Sequence, residues 1–118
     1  MTRRVVVTGM GVISPLGNDV NTYWDNVKNG VVGIELIGDK VGDMDSLKTK
    51  VAAFVKDFDP TNFVSKMEVR RYDLYTHYAM AATMEAMKMA GLDYESPNYD
   101  TERIGVSIGS GVGGAQTW

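Results

Sequence analysis

The spacing of hydrophobic and polar positions predicts the elements of this chain in order. Arg3 to Thr8 holds three consecutive valines, Val5-Val6-Val7, closed by Thr8-Gly9. A short β-branched run with a glycine stop suits a strand buried on both faces, as in a parallel sheet. Gly9-Met10-Gly11-Val12-Ile13-Ser14-Pro15-Leu16-Gly17 then reads as a turn-rich connection. Asn18 or Asp19 is placed to cap a helix running to about Asn29, with Tyr23, Trp24 and Val27 as its apolar stripe. Gly30 stands where a C-cap glycine belongs.

The pattern weakens after that. Val32, Ile34, Leu36 and Ile37 suit a short strand, and Val51-Ala52-Ala53-Phe54-Val55 suits another, stopped by Asp57, Asp59 and Pro60. The longest predicted element is a helix from about Lys66 to Ala90, a stretch without Gly or Pro. Tyr75, Ala79, Ala82, Ala86 and Met89 fall on one face of it, and the small residues there allow close packing against a sheet or a second helix. Gly91 ends it. Arg103 to Ile108 reads as a strand that feeds into Gly109-Ser110-Gly111-Val112-Gly113-Gly114. Strand, helix, weak strands, long helix, strand and glycine loop make an α/β chain with a largely parallel sheet. Ala115 to Trp118 supply no capped helix after the loop, so the end reads as an interruption.

Composition narrows the function. The chain has 118 residues and a formal net charge of −3, which suits a single globular domain and gives no global footprint for nucleic acid. There is no cysteine, which removes disulfides, thiolate metal sites and a cysteine nucleophile from these residues. No apolar run approaches the ~20 residues of a membrane-spanning helix. The basic and apolar start imitates a signal peptide, but Thr8, Gly9 and Gly11 break it, so a cytoplasmic protein is expected.

Few residues offer chemistry. The Gly109–Gly114 loop satisfies G-x-G-x-x-G, yet the following helix and the acidic residue ~20 positions on are missing. A tight backbone crossing is therefore favoured over phosphate binding. His77 is the sole histidine, with Asp73 four positions earlier, and reads as structural or solvated. Asp43 with Asp45, and Asp57 with Asp59, are spaced like pieces of a calcium loop but lack the remaining ligands. Ser14 and Ser110 lie among glycines without a G-x-S-x-G context. Lys66, Arg70 and Arg71 form the densest positive cluster. Cations at a helix start oppose the macrodipole, so the spacing leaves two readings: an acidic partner, or pairing with Glu68 or Asp73.

Four segments, in register, carry a resemblance. They are Arg4 to Gly17 (RVVVTGMGVISPLG), Val55-Lys56-Asp57-Phe58, Arg70-Arg71-Tyr72-Asp73 and Ile108 to Gly114. Together they resemble the beta-ketoacyl-acyl-carrier-protein synthase II family, the condensing enzymes of bacterial fatty acid elongation. The resemblance implies a thiolase-type α/β fold, here a partial N-terminal half of a layered α-β-α-β-α architecture, with residues 1–118 as an incomplete domain. It implies a homodimer, and a decarboxylative Claisen condensation in which a cysteine carries the acyl group and two histidines assist. It implies no metal or organic cofactor; the phosphopantetheine arm arrives on acyl carrier protein. Those catalytic residues lie beyond the segment in the family, and His77 is not one of them, so the segment alone is expected to be inactive. By the same resemblance Val112 gates the acyl pocket at the dimer interface, and Lys66, Arg70 and Arg71 dock the acidic carrier. Met67 stands where the family often has lysine. A polyketide ketosynthase or its non-catalytic chain-length partner, a small nucleotide-binding module, and a stand-alone carrier-binding protein are the competing readings.

Overall fold

The computed structural model describes residues 2–38 and 45–114. They fall into two compact units, Ile13–Phe58 and the combination of Met1–Val12 with Asp59–Trp118. Asp43, and the Ala115–Trp118 end read above as an interruption, lie outside the described residues.

In the Ile13–Phe58 unit, Ser14 and Gly17 close a turn through reciprocal backbone bonds of 2.9 and 3.1 Å. Helix α1, Val20–Lys28, starts where Asp19 accepts from the Thr22 backbone N–H at 2.8 Å. That bond, aided by the Thr22 hydroxyl, holds the Asp19 carboxyl below its ordinary range. The helix ends as the glycine predicted: Gly30 takes a positive φ of 66°, and Val31 N–H donates back to the Asn26 carbonyl at 3.0 Å. The inward face differs from the expected stripe. Tyr23 and Asn26 are half-buried, Trp24 is exposed, and the Asn26 amide donates to the Leu16 carbonyl at 2.6 Å. A polar bond, rather than apolar packing of Trp24, seats this helix.

Strand β1, Glu35–Leu36, pairs antiparallel with β2, Val51–Ala52, in the register Glu35 with Ala52 and Leu36 with Val51. Both lie inside the expected strands but are much shorter, and the pairing corrects the expectation of a largely parallel sheet. Ile37, which follows β1 and donates its N–H to the Lys50 carbonyl, is buried.

In the other unit, a 3₁₀ turn at Pro60–Asn62 precedes α2, Lys66–Val69, and α3, Leu74–Met89. The expected single helix from Lys66 to Ala90 is therefore two. Arg71 and Tyr72 both donate to the Glu68 carbonyl, which closes α2, and Asp73 takes an extended backbone that restarts the chain as the N-cap of α3. Gly91, at a φ of 70°, ends α3 with Leu92 N–H bonded to the Met87 carbonyl at 2.9 Å. His77 and Ala81 are its buried residues.

The small-residue face of α3 meets a backbone. A Cβ on Gly9 would fall on the Ala86 carbonyl oxygen, and one on Gly11 on the Ala82 carbonyl oxygen. Only glycine allows the 9–11 segment to lie so close to the helix. Val12 N–H then donates to the Glu85 carboxylate at 3.0 Å, bridging 73 positions of sequence.

Neither Arg3–Thr8 nor Arg103–Ile108 is a strand. Val5, Val7 and Val106 are 92, 80 and 74% exposed, and Thr101–Arg103 is a 3₁₀ turn capped by Asp100. β-Branched runs become strands only where a neighbour closes the ladder, and no neighbour pairs with these among the described residues. No helix among the described residues is long and apolar enough to cross a membrane.

With Ile37 and Ala81 as the buried apolar side chains among the described residues, the chain's own core is small against the ~5–15 kcal/mol margin of an ordinary domain. Residues 1–118 expressed alone should show no cooperative thermal transition and should bind a hydrophobic dye. A sharp transition with monomeric sedimentation would show an autonomous domain.

Candidate functional site

The cationic cluster is built on a reciprocal cap. Ser65 Oγ accepts from Glu68 N–H at 3.3 Å, while Glu68 Oε2 accepts from Ser65 N–H at 2.9 Å and from the Ser65 hydroxyl at 2.7 Å. The Ser65 hydroxyl, then its N–H, lower the Glu68 carboxyl below the usual range, with a smaller contribution from the Arg71 charge. Glu68 is thus held at the helix start. Lys66, Arg70 and Arg71 are all exposed, and none forms an ion pair within 4 Å among the described residues. The pairing alternative left open by the spacing is not what the side chains do. Lys66 opens α2 and Arg70 and Arg71 lie between the end of α2 and the start of α3, so helix dipoles do not account for the cluster.

Val112 lies in the glycine loop and is 79% exposed. Within that loop Ser110 Oγ accepts from Gly113 N–H at 2.9 Å, so Ser110 shapes a turn. A Cβ on Gly113 would lie 3.9 Å from the Tyr75 ring, which brings the loop against the second residue of α3. Arg70 and Arg71 immediately precede that same end. The two candidate features, far apart in sequence, share one end of one helix. A crowded backbone crossing at Gly109 and Gly111 is not found, since open space surrounds both; the crowding lies at Gly9 and Gly11.

Residues 2–117 match the model of the beta-ketoacyl synthase N-terminal domain. The chain belongs to the beta-ketoacyl synthase family. It is 45% identical over 118 residues to a 3-oxoacyl-[acyl-carrier-protein] synthase 2 of Staphylococcus aureus (strain COL), covering 98% of this chain and 27% of the relative. The corresponding Vibrio harveyi protein is 43% identical over 115 residues, 95% of this chain and 26% of the relative. Among solved structures, a type II polyketide acyl-carrier protein in complex with its ketosynthase bound to the hexaketide gives a TM-score of 0.60 at 30% identity. That match covers 85% of this chain and 25% of the other. The chain therefore spans about a quarter of the length of these relatives and has a ketosynthase-type fold neighbour.

Other candidates of this beta-ketoacyl synthase segment are structural. His77 is 4% exposed, its Nδ1 has no hydrogen-bond partner, and its link to Asp73 runs from backbone N–H to backbone carbonyl at 3.4 Å. Asp59 caps the 3₁₀ turn by accepting from Thr61 N–H at 2.8 Å and from the Thr61 hydroxyl at 2.7 Å. Ser14 accepts from Leu16 N–H at 3.1 Å within its turn. No cluster of metal-ligating side chains occurs among the described residues. Sequence reasoning missed the capping box, although Ser65-x-x-Glu68 is its signature, and it missed Glu85, whose partner 73 residues away leaves no local signal.

The cap makes a pH-dependent prediction. A lowered Glu68 value means that its stabilising contribution is present above the ordinary glutamate range and is lost as pH falls through the lowered value. Ser65→Ala in the native-length protein should cost ~1 kcal/mol near neutral pH by denaturant unfolding. The gap from wild type should narrow as pH falls below the ordinary glutamate range and Glu68 becomes protonated in both. A gap that persists unchanged in acid would show that the cap does not depend on Glu68.

Proposed function

We propose that this chain is the N-terminal part of a thiolase-type 3-oxoacyl-[acyl-carrier-protein] synthase that elongates fatty acids. The reading is carried by the 45% identity that runs across essentially the whole chain to a protein of that name. In such an enzyme a cysteine accepts the acyl group, malonyl carrier loses carbon dioxide, and the resulting carbanion attacks the thioester. The cysteine and the two assisting histidines belong to parts of the synthase outside this segment. What these residues contribute is recognition: a place for the carrier and a wall for the acyl chain, in a cytoplasmic homodimer.

Carrier docking falls to Lys66, Arg70 and Arg71. Three exposed cations without carboxylate partners, on a helix fixed by its own cap, suit an acidic protein that visits and leaves. Complementary charge mainly raises the association rate and is screened over about 10 Å at 0.1 M salt. Val112 is the acyl-pocket residue, its bulk standing alone between glycines at the end of α3 nearest those cations. The solved polyketide ketosynthase relative supports a second reading, condensation of polyketide rather than fatty acyl chains.

Changing Lys66, Arg70 and Arg71 together to Glu in the native-length protein should raise the KM for carrier-bound substrates and flatten its salt dependence. Unchanged kinetics at low salt would end the docking proposal. Val112→Phe in the native-length protein should shorten the accepted acyl chain, since in the pocket proposed there a small-to-large change costs ~1–3 kcal/mol, roughly one to two orders of magnitude in binding. The loss should grow with primer length; an equal loss for all primers would indicate misfolding. Retained turnover of fatty acyl primers, with poor turnover of polyketide intermediates, separates the two readings.

A further inference from the structure

Met67 interrupts the cationic surface. It is the second residue of α2 and is 76% exposed, whereas Glu68 and Val69 beside it are half-buried. Lys66 precedes it, and Arg70, three positions on, neighbours it across one turn. The helix packs against the Pro60–Asn62 turn with Glu68 and Val69 half-buried, which leaves Met67 exposed beside the cations. The unbranched thioether stands open to solvent among Lys66, Arg70 and Arg71 in sequence. It is a compact apolar point with unpaired positive charges on either side.

Charge and apolar contact act differently on a visiting partner. The three cations act at a distance, raise the encounter rate and weaken with salt. A methionine acts only on contact, by leaving water and by adapting its flexible side chain to the surface it meets, and its effect resides mainly in the dissociation rate. Hot spots have this layout, a desolvated apolar centre ringed by polar groups that exclude water. The complementary surface is a patch of carboxylates around one apolar side chain.

We infer that Met67 is the apolar anchor of the docking surface, packing against an apolar side chain set among the carboxylates of the acyl carrier protein. The inference rests on the docking reading above. Met67 then does not leave a gap in the basic patch. It replaces long-range attraction with residence time.

The test measures binding of purified holo acyl carrier protein to the native-length protein across a salt series, for wild type, Met67→Ala, Met67→Leu, Met67→Lys and the triple charge reversal. Met67→Ala should weaken binding about five- to tenfold, with the salt slope kept parallel to wild type. Met67→Leu should stay within about twofold. Met67→Lys should steepen the salt slope and bind more weakly than wild type at about 0.15 M salt. Thermal unfolding of Met67→Ala should coincide with that of wild type. Met67→Ala within twofold of wild type, Met67→Lys tighter at every salt concentration, or a destabilised Met67→Ala whose weaker binding tracks its unfolding would each overturn the anchor. Charge reversal without effect at low salt would instead overturn the docking reading beneath it.

Discussion

The close approach of the Gly9–Gly11 backbone to α3 is the contact on which its unit depends. Two carbonyl oxygens of the helix, on Ala82 and Ala86, occupy the space where side chains would otherwise stand. The approach needs glycine on one side and small residues on the other, and it brings Val12 N–H to the Glu85 carboxylate. A backbone donor there gains a charge-assisted bond rather than an unsatisfied, partly buried group. Around that contact α3 acts as a spine. Its middle buries His77 and Ala81, its start lies beside Gly113 through Tyr75, and the cations of the preceding helix sit just ahead of it.

The cationic surface around α2 is organised by local bonds. Ser65 and Glu68 satisfy each other within four residues, and the Glu68 carboxylate makes its short bonds to Ser65 rather than an ion pair with a neighbouring cation. Had Glu68 paired with Arg70 or Arg71, the patch would carry less unpaired charge toward a partner. A short helix with a reciprocal cap is a simple way to separate a carboxylate from nearby guanidinium groups. The interruption of the helix between Val69 and Leu74 completes the arrangement, because it ends α2 before the arginines enter a long helix.

Membership of the beta-ketoacyl synthase family and the small extent of buried core fit together physically. The chain spans about a quarter of its relatives, and Val5, Val7, Val106 and Ile108 stand exposed in segments whose composition suits interior strands. Their β-branched side chains favour a pleated, covered surface, and such a surface exists only where other strands and helices supply it.

Residue order alone determined the local features. Asp19, Gly30 and Gly91 mark helix ends through bonds and backbone angles reached within a few positions, and each is found where its residue type requires. The small face of α3 was legible in the spacing of its alanines, and the cationic cluster in its density of charge. Tertiary structure decided the rest. Whether Arg3–Thr8 and Arg103–Ile108 pair depends on neighbours that local propensity cannot supply. The antiparallel register of β1 and β2 rests on pairing between two separate segments, and the seat of α1 on an amide reaching Leu16. The glycines of 109–114 and of 9–11 look alike in sequence, yet only the second pair is crowded, because only there does a helix backbone lie alongside. Glu85 is the clearest case: its partner is 73 residues distant, and an interaction fixed by folding leaves no periodicity to read.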